Sequence, residues 1–173
     1  MGESVKLRPV LEADLAFLYY LMNDPDGGGK FQWYGWHDAQ RVRNRWVEDG
    51  MLGPDAGTLV VASGDRALGL VGWRKIVTAR PSHCWNLGIV LAPDARGHGH
   101  GTRAQRLLVE YLFAHTPVNR VEAATEVANV AEQRSLERAG FTREGVLRGY
   151  GFRDGQWRDA VLYSVLRADL TSG

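Results

Sequence analysis

Leu87-Gly88-Ile89-Val90-Leu91-Ala92-Pro93-Asp94-Ala95-Arg96-Gly97-His98-Gly99-His100-Gly101-Thr102 reads as an apolar strand, a tight basic glycine loop and the start of a helix. Past Thr102, the apolar residues Ala104, Leu107, Leu108, Tyr111 and Leu112 fall on one face of an amphipathic helix. A helix that starts behind closely spaced glycines presents unpaired backbone N–H groups at the positive end of its dipole. Glycine lets the chain turn sharply and approach a ligand without a Cβ in the way. Such a segment suits a phosphate or pyrophosphate. The nucleotide-triphosphatase loop is excluded, because no lysine precedes Thr102. The dinucleotide G-x-G-x-x-G fingerprint is excluded too, since the glycines stand at 97, 99 and 101.

Composition narrows the class. The 173 residues suffice for one domain with a proper core. With 21 basic against 20 acidic residues, the chain lacks the basic excess of a general nucleic-acid or membrane-surface binder. Cys84 is the single cysteine, so neither an internal disulfide nor a cysteine zinc cluster is available. The start, Met1-Gly2-Glu3-Ser4-Val5-Lys6, has no signal-peptide core, and no run approaches membrane-spanning length. These features predict a cytoplasmic protein without nucleic-acid or membrane partners.

Around the glycine loop the pattern alternates between strand and helix. Residues 5–10 read as a strand and residues 12–22 as a helix, after which Asn23-Asp24-Pro25-Asp26-Gly27-Gly28-Gly29 breaks the chain. Asp38 caps a helix reaching about Glu48, and residues 58–62 and 67–76 form two strands across a Ser63-Gly64-Asp65 turn. Residues 84–91 give the strand before the loop, and residues 120–125 alternate as another. A helix over residues 129–139 ends at Gly140, and a hairpin pairs residues 146–152 with 157–166. The order β-α-α-β-β-β-α-β-α-β-β predicts a mixed α/β domain over residues 1–173, its mostly antiparallel central sheet covered by helices on both faces.

Arg96-Gly97-His98-Gly99-His100-Gly101 follows R/Q-x-x-G-x-G/A and resembles the acetyl-CoA pyrophosphate loop of the GCN5-related N-acetyltransferases. Residues 129–141, beginning Asn129-Val130-Ala131-Glu132 and ending Ala139-Gly140-Phe141, are similar to that family's N-x-x-A-x-x-L-Y-x-x-x-G-F helix. They look closest to the subgroup that acetylates ribosomal-protein N-termini. Glu144-Gly145-Val146-Leu147-Arg148 and Asp154-Gly155-Gln156-Trp157-Arg158-Asp159 are also typical of it.

The resemblance implies the acetyltransferase fold and acetyl-CoA as co-substrate, with no metal. It implies backbone contacts to the pantetheine near Ile89, Val90 and Leu91. Backbone groups of Arg96, Gly97, His98, Gly99, His100, Gly101 and Thr102 would hold the pyrophosphate, and Asn129 would hydrogen-bond the pantetheine. Residues 5–50 would form the acceptor side, 58–142 the acetyl-CoA core and 143–170 a C-terminal hairpin. The acceptor would be a protein N-terminal α-amine or a small-molecule amine, and the protein a monomer or homodimer.

Four familiar acid/base positions hold other residues: Leu136 for a tyrosine, Glu132 for a serine, Asn86 for a strand glutamate and Gly151 for a hairpin glutamate. The catalytic candidates are therefore Glu126 as base, just past its strand, with Ser135 and Tyr150 as acids. Asn129 and Glu132 also form an N-x-x-E capping-box pattern that explains Glu132 structurally. The aromatic run Trp33, Tyr34, Trp36 and His37, after the triple glycine, is the candidate acceptor pocket, with core packing as the alternative. His98 and His100 have no carboxylate partner nearby except Asp94, which disfavours a metal. Direct transfer from acetyl-CoA to an amine is the leading expectation, and a catalytically silent acyl-CoA-binding module is the alternative.

Overall fold

Backbone alternation in one strand shows how the layers form. The computed structural model describes residues 4–171, so Met1, Gly2 and Glu3 and the last two residues of the expected domain lie outside the described residues. In β2 (Ala56–Ser63), successive side chains point to opposite faces. Leu59 and Val61 enter the larger core, whereas Val60 and Ala62 enter the smaller one. The larger core holds Ala104, Leu108 and Leu112, the buried stripe of α4 (His100–His115). The smaller receives Leu15 and Leu18 of α1 (Leu15–Asn23) and Val42 of α3 (Ala39–Asp49). Helices therefore cover both sheet faces. Each fully buried leucine contributes about 1.5–3 kcal/mol by leaving water.

Seven strands among the described residues make one mixed sheet in the order β1-β2-β3-β4-β5-β7-β6. The remaining strands are β1 (Val5–Arg8), β3 (Arg66–Val77), β4 (His83–Leu91), β5 (Arg120–Glu126), β6 (Thr142–Arg153) and β7 (Gln156–Leu166). Only the β4–β5 pair is parallel. α4 supplies the connection that a parallel pair requires. Its C-terminal end is held by Arg167, whose guanidinium donates to the carbonyls of Phe113, Thr116 and Val118. No described helix is long and apolar enough to cross a membrane.

The structure corrects three local expectations. Residues 12–14 form a 3-10 turn before α1, because Asp14 turns inward to Arg8 at 2.6 and 2.9 Å and accepts the Leu11 amide. The glycine-rich break contains a one-turn helix, α2 (Pro25–Gly28). Asp24 caps it by accepting from the Asp26 and Gly27 amides, while Pro25 presets its first turn. Gly27 is packed rather than hinge-like, for a Cβ there would lie 2.6 Å from the Tyr20 carbonyl oxygen. The C-terminal hairpin begins earlier than its apolar pattern, at Thr142, and β6 loses register between Leu147 and Gly151.

Candidate functional site

β4 and β5 are paired only at Trp85–Val121 and Asn86–Glu122. Beyond these pairs the strands part. A cavity of about 540 Å³ runs from that gap past the glycine loop to α5 (Val130–Arg138). Alternation fixes what each residue of β4 offers to it. The carbonyls of Ile89 and Leu91 face away from β3, where Gln32 Nε2 reaches the first at 3.1 Å and Arg96 Nε the second at 3.0 Å. The N–H groups of Ile89 and Leu91 point the same way, along the open edge. Val90 points its backbone oppositely, into β3, where a Cβ on Gly69 would collide with its carbonyl oxygen. The sequence treated these three residues alike, whereas the ladder leaves backbone donors only on Ile89 and Leu91; Val90 lines the cavity.

The glycine loop separates in the same manner. Gly97 and Gly99 have φ of +79° and +78°, the left-handed region, and nothing crowds a Cβ at either position. Glycine is needed there for conformation, not space. Gly99 caps α4, and Arg103 is the first residue to return an amide bond into the helix, to the Gly99 carbonyl at 3.2 Å. The His100, Gly101 and Thr102 amides are thereby left as helix-start donors. The rings of His98 and His100 lie 5.8 Å apart. Arg96 departs from expectation. Its amide donates to Pro93 within a turn, and its guanidinium donates to the carbonyls of Gly27 at 2.6 Å and Asp26 at 3.5 Å. Arg96 therefore ties the loop to α2.

Across the cleft, α5 presents a chain of polar contacts. Asn129 caps α5, its Oδ1 accepting from the Glu132 amide at 3.4 Å and its Nδ2 donating to Thr125 at 3.0 Å. Both ends of that side chain are engaged within the protein. Glu132 does not complete a capping box. Its carboxylate turns to Gln105 of α4, whose side-chain amide donates at 2.5 Å. Gln105 is fully buried and accepts from Ser135 Oγ at 3.0 Å, while Ser135 lies 3.1 Å from Thr102 Oγ1. The Ser135 proton is thus committed to Gln105, which removes it as a ready acid. Burial raises Glu132 to a pKa of about 7, partly offset by the Gln105 hydrogen bond.

The other catalytic candidates fare differently. Glu126 is held by Arg153 through both oxygens, with Nη2 to Oε2 at 2.9 Å and Nε to Oε1 closer still. That hydrogen bonding lowers its pKa, so Glu126 is a weak base and neither a solvated loop carboxylate nor a free one. Tyr150 sits in the irregular stretch of β6, 50% exposed and away from the cavity. Leu136 is core, fully buried, and Cys84 is buried with its thiol pushed up chiefly by burial. Asn86 accepts from Arg74 at 3.4 Å at the paired end of β4.

The aromatic run is displaced as well. Lys30, Phe31 and Gln32 line the cavity, whereas Trp33, Tyr34, Trp36 and His37 do not. Trp33 and Trp36 stack edge-to-face at 5.8 Å, and Trp36 is 80% exposed. The His37 amide donates to Asn23. Tyr34 stands in the field of Glu126 and Arg153, its hydroxyl pKa raised first by burial. Sequence reasoning missed Gln32, Gln105, Arg153 and Lys30. Lys30 and Gln32 lie between the triple glycine and the aromatic run, Gln105 follows the glycine loop on α4, and what marks Gln105 and Arg153 out is a partner remote in the chain.

Residues 4–142 match the acetyltransferase (GNAT) domain, and the chain belongs to that family. It is 32% identical over 111 residues to a Bacillus subtilis protein named "Probable N-acetyltransferase YjcK", covering 64% of this chain and 61% of that protein. It is 28% identical over 106 residues to the ribosomal protein uS5-alanine N-acetyltransferase of Escherichia coli, covering 61% of this chain and 54% of that protein. These matches span little more than half of those relatives. In fold it resembles the Vibrio cholerae spermidine N-acetyltransferase solved with CoA and spermine, with a TM-score of 0.84, 19% identity and coverage of 97% and 98%.

Proposed function

We propose that this protein is an N-acetyltransferase that uses acetyl-CoA and acetylates a primary amine. The observation that carries this reading is that the open edge of β4 at Ile89 and Leu91 and the start of α4 at Gly101 and Thr102 line one cavity. Relatives named for acetylating a ribosomal protein and for spermidine support an amine acceptor. Residues 58–142 are assigned to the acetyl-CoA side apart from Glu126 at the end of β5, which joins residues 5–50 and 143–170 on the acceptor side. The residues present fit acetyl-CoA chemically. An unpaired strand edge offers an amide-bearing arm the bonds of an added strand. The start of α4 offers donors to a pyrophosphate, and Arg134 and Arg138 bring positive charge to the same cavity.

When bound, acetyl-CoA would supply the acetyl group as a thioester. The Ile89 and Leu91 N–H groups can polarise the acyl oxygen and stabilise the charge that develops on it. A neutral amine forms the new C–N bond as the C–S bond breaks. The amine gives up one proton and the departing sulfur takes one. Glu126 is held by Arg153, so the amine proton passes to solvent. Glu132, protonated up to about neutral pH, is assigned the proton that goes to sulfur. Holding the reactants in place contributes about 7–11 kcal/mol.

The test is release of free CoA from acetyl-CoA, followed against peptide N-termini, polyamines and small amines. Amine-dependent release is expected. Glu132→Gln should lower kcat about 100-fold and remove the fall in rate above about pH 7. Acetyl-CoA binding without release for any amine would replace this reading with that of a silent binding module.

A further inference from the structure

The acceptor end of the cleft carries more positive charge than the chain as a whole. Lys30 and Phe31 line the cavity, as do Ile89 and Asn129. The Phe31 ring has Lys30 Nζ 4.8 Å from its centroid and Arg153 Cζ at 5.6 Å. Arg153 is paired with Glu126, and the side chains of this pair are only 11% and 12% exposed. Arg158, on the neighbouring strand β7, and Lys30 both add their positive charge to the field at Glu126. Asp154 acts on Arg153 from the exposed β6–β7 turn. Three cations therefore face two carboxylates, one of which already gives both oxygens to Arg153.

A donor left over agrees with that imbalance. Arg158 Nε is buried with no hydrogen-bond acceptor. Buried N–H groups without partners are rare because each forfeits a bond it would have in water. A polyamine brings only donors and positive charge, and it would meet cations here. An anionic oxygen would instead meet the positive charge of Lys30 and Arg158.

We infer that the acceptor is a primary amine carrying a carboxylate on the same molecule, which Lys30 and Arg158 hold beside the Glu126–Arg153 pair. The inference rests on the amine-acetylation reading above and names its substrate class. The carboxylate can belong to a free amino acid or to an acidic residue close behind a peptide N-terminus, and the chemistry of recognition is the same.

The experiment compares free glutamate, a short acidic peptide with a free N-terminus, a neutral peptide of equal length and spermidine. Both kcat/KM with acetyl-CoA and calorimetric affinity for the CoA-saturated protein are measured. At least one carboxylate-bearing acceptor is expected to exceed the neutral peptide and spermidine by about 10-fold in both, and which one does identifies the source. Raising the salt concentration should shrink that ratio. Lys30→Glu, at an exposed position, should collapse the acidic-to-neutral ratio, and Arg158→Gln should lower it in the same direction. Spermidine or the neutral peptide matching the acidic acceptors would overturn the inference while leaving acetyl transfer intact. If no acceptor is acetylated, the calorimetric order still decides the inference, and the failure falls on the proposed reaction.

Discussion

The two sides of the cleft are built from different parts of the polypeptide. On the side proposed for acetyl-CoA, the polar groups are mostly backbone: the open edge of β4 and the first amides of α4. On the side proposed for the acceptor they are side chains, namely Lys30, Glu126, Arg153 and Arg158, drawn from four segments. A backbone site depends on a few dihedral angles, so it leaves a mark in glycine positions. A site of side chains depends on which elements become neighbours, so it leaves none. Arg96 joins the two, with its backbone in the glycine loop and its guanidinium on the carbonyls of Asp26 and Gly27.

That contrast can be tested, starting with the strongest effect. Gly99→Val places a β-branched residue at φ of +78° and misdirects the helix-start amides. Losing two hydrogen bonds to a charged group, each worth about 1.5–3 kcal/mol, should weaken acetyl-CoA binding by at least about 100-fold in calorimetry. A change under threefold would show that the backbone is not the binding element. On the other side, Arg153→Met strands the Glu126 carboxylate and should cost about 2 kcal/mol in urea denaturation at pH 7. Because the pair lowers the Glu126 pKa, its contribution is present above the ordinary carboxylate range and is lost as pH falls through the lowered value. The variant's deficit should therefore narrow in acid.

Glu132 carries the opposite sign. Its pKa rises from 4.5 to about 7, so the folded protein holds this proton more tightly than the unfolded chain. Stability should decline as pH rises between those values and stay reduced above them. Glu132→Gln should then be more stable than the parent by about 3 kcal/mol at pH 8 and indistinguishable at pH 4, by urea midpoint. Equal midpoints at pH 8 would show that the carboxylate is solvated. The smallest effect is expected for Arg96→Gln, which releases α2 from the glycine loop. It should raise the KM for the amine about 3–10-fold, matching about 1 kcal/mol for its hydrogen bonds, with a smaller change for acetyl-CoA. A larger change for acetyl-CoA would place Arg96 on the cofactor side.

Much of the scaffold could be read before the structure. Period-two alternation in residues 120–125 and the 3.6-residue stripe of α4 placed the strands and helices, because burial selects residue type locally. Misreadings arose where a distant partner decided the outcome. Glu132 fits a capping box by spacing, but Gln105 draws its carboxylate away from the helix start. Ser135 is a plausible acid until Gln105 takes its proton. The glycine-rich stretch at residues 27–29 reads as a break in the chain, yet Tyr20 and Arg96 pack against it and part of it is helical.

By itself the sequence determined the family, the order of elements and the glycine loop, because those rest on local periodicity and on conformations open to few residues besides glycine. Tertiary structure alone decided which β4 amides face the gap, that Glu126 is neutralised by Arg153, and that Lys30 and Arg158 gather around that pair. Register and side-chain pairing between remote segments are set when the sheet assembles, and the spacing of residues along the chain does not encode them.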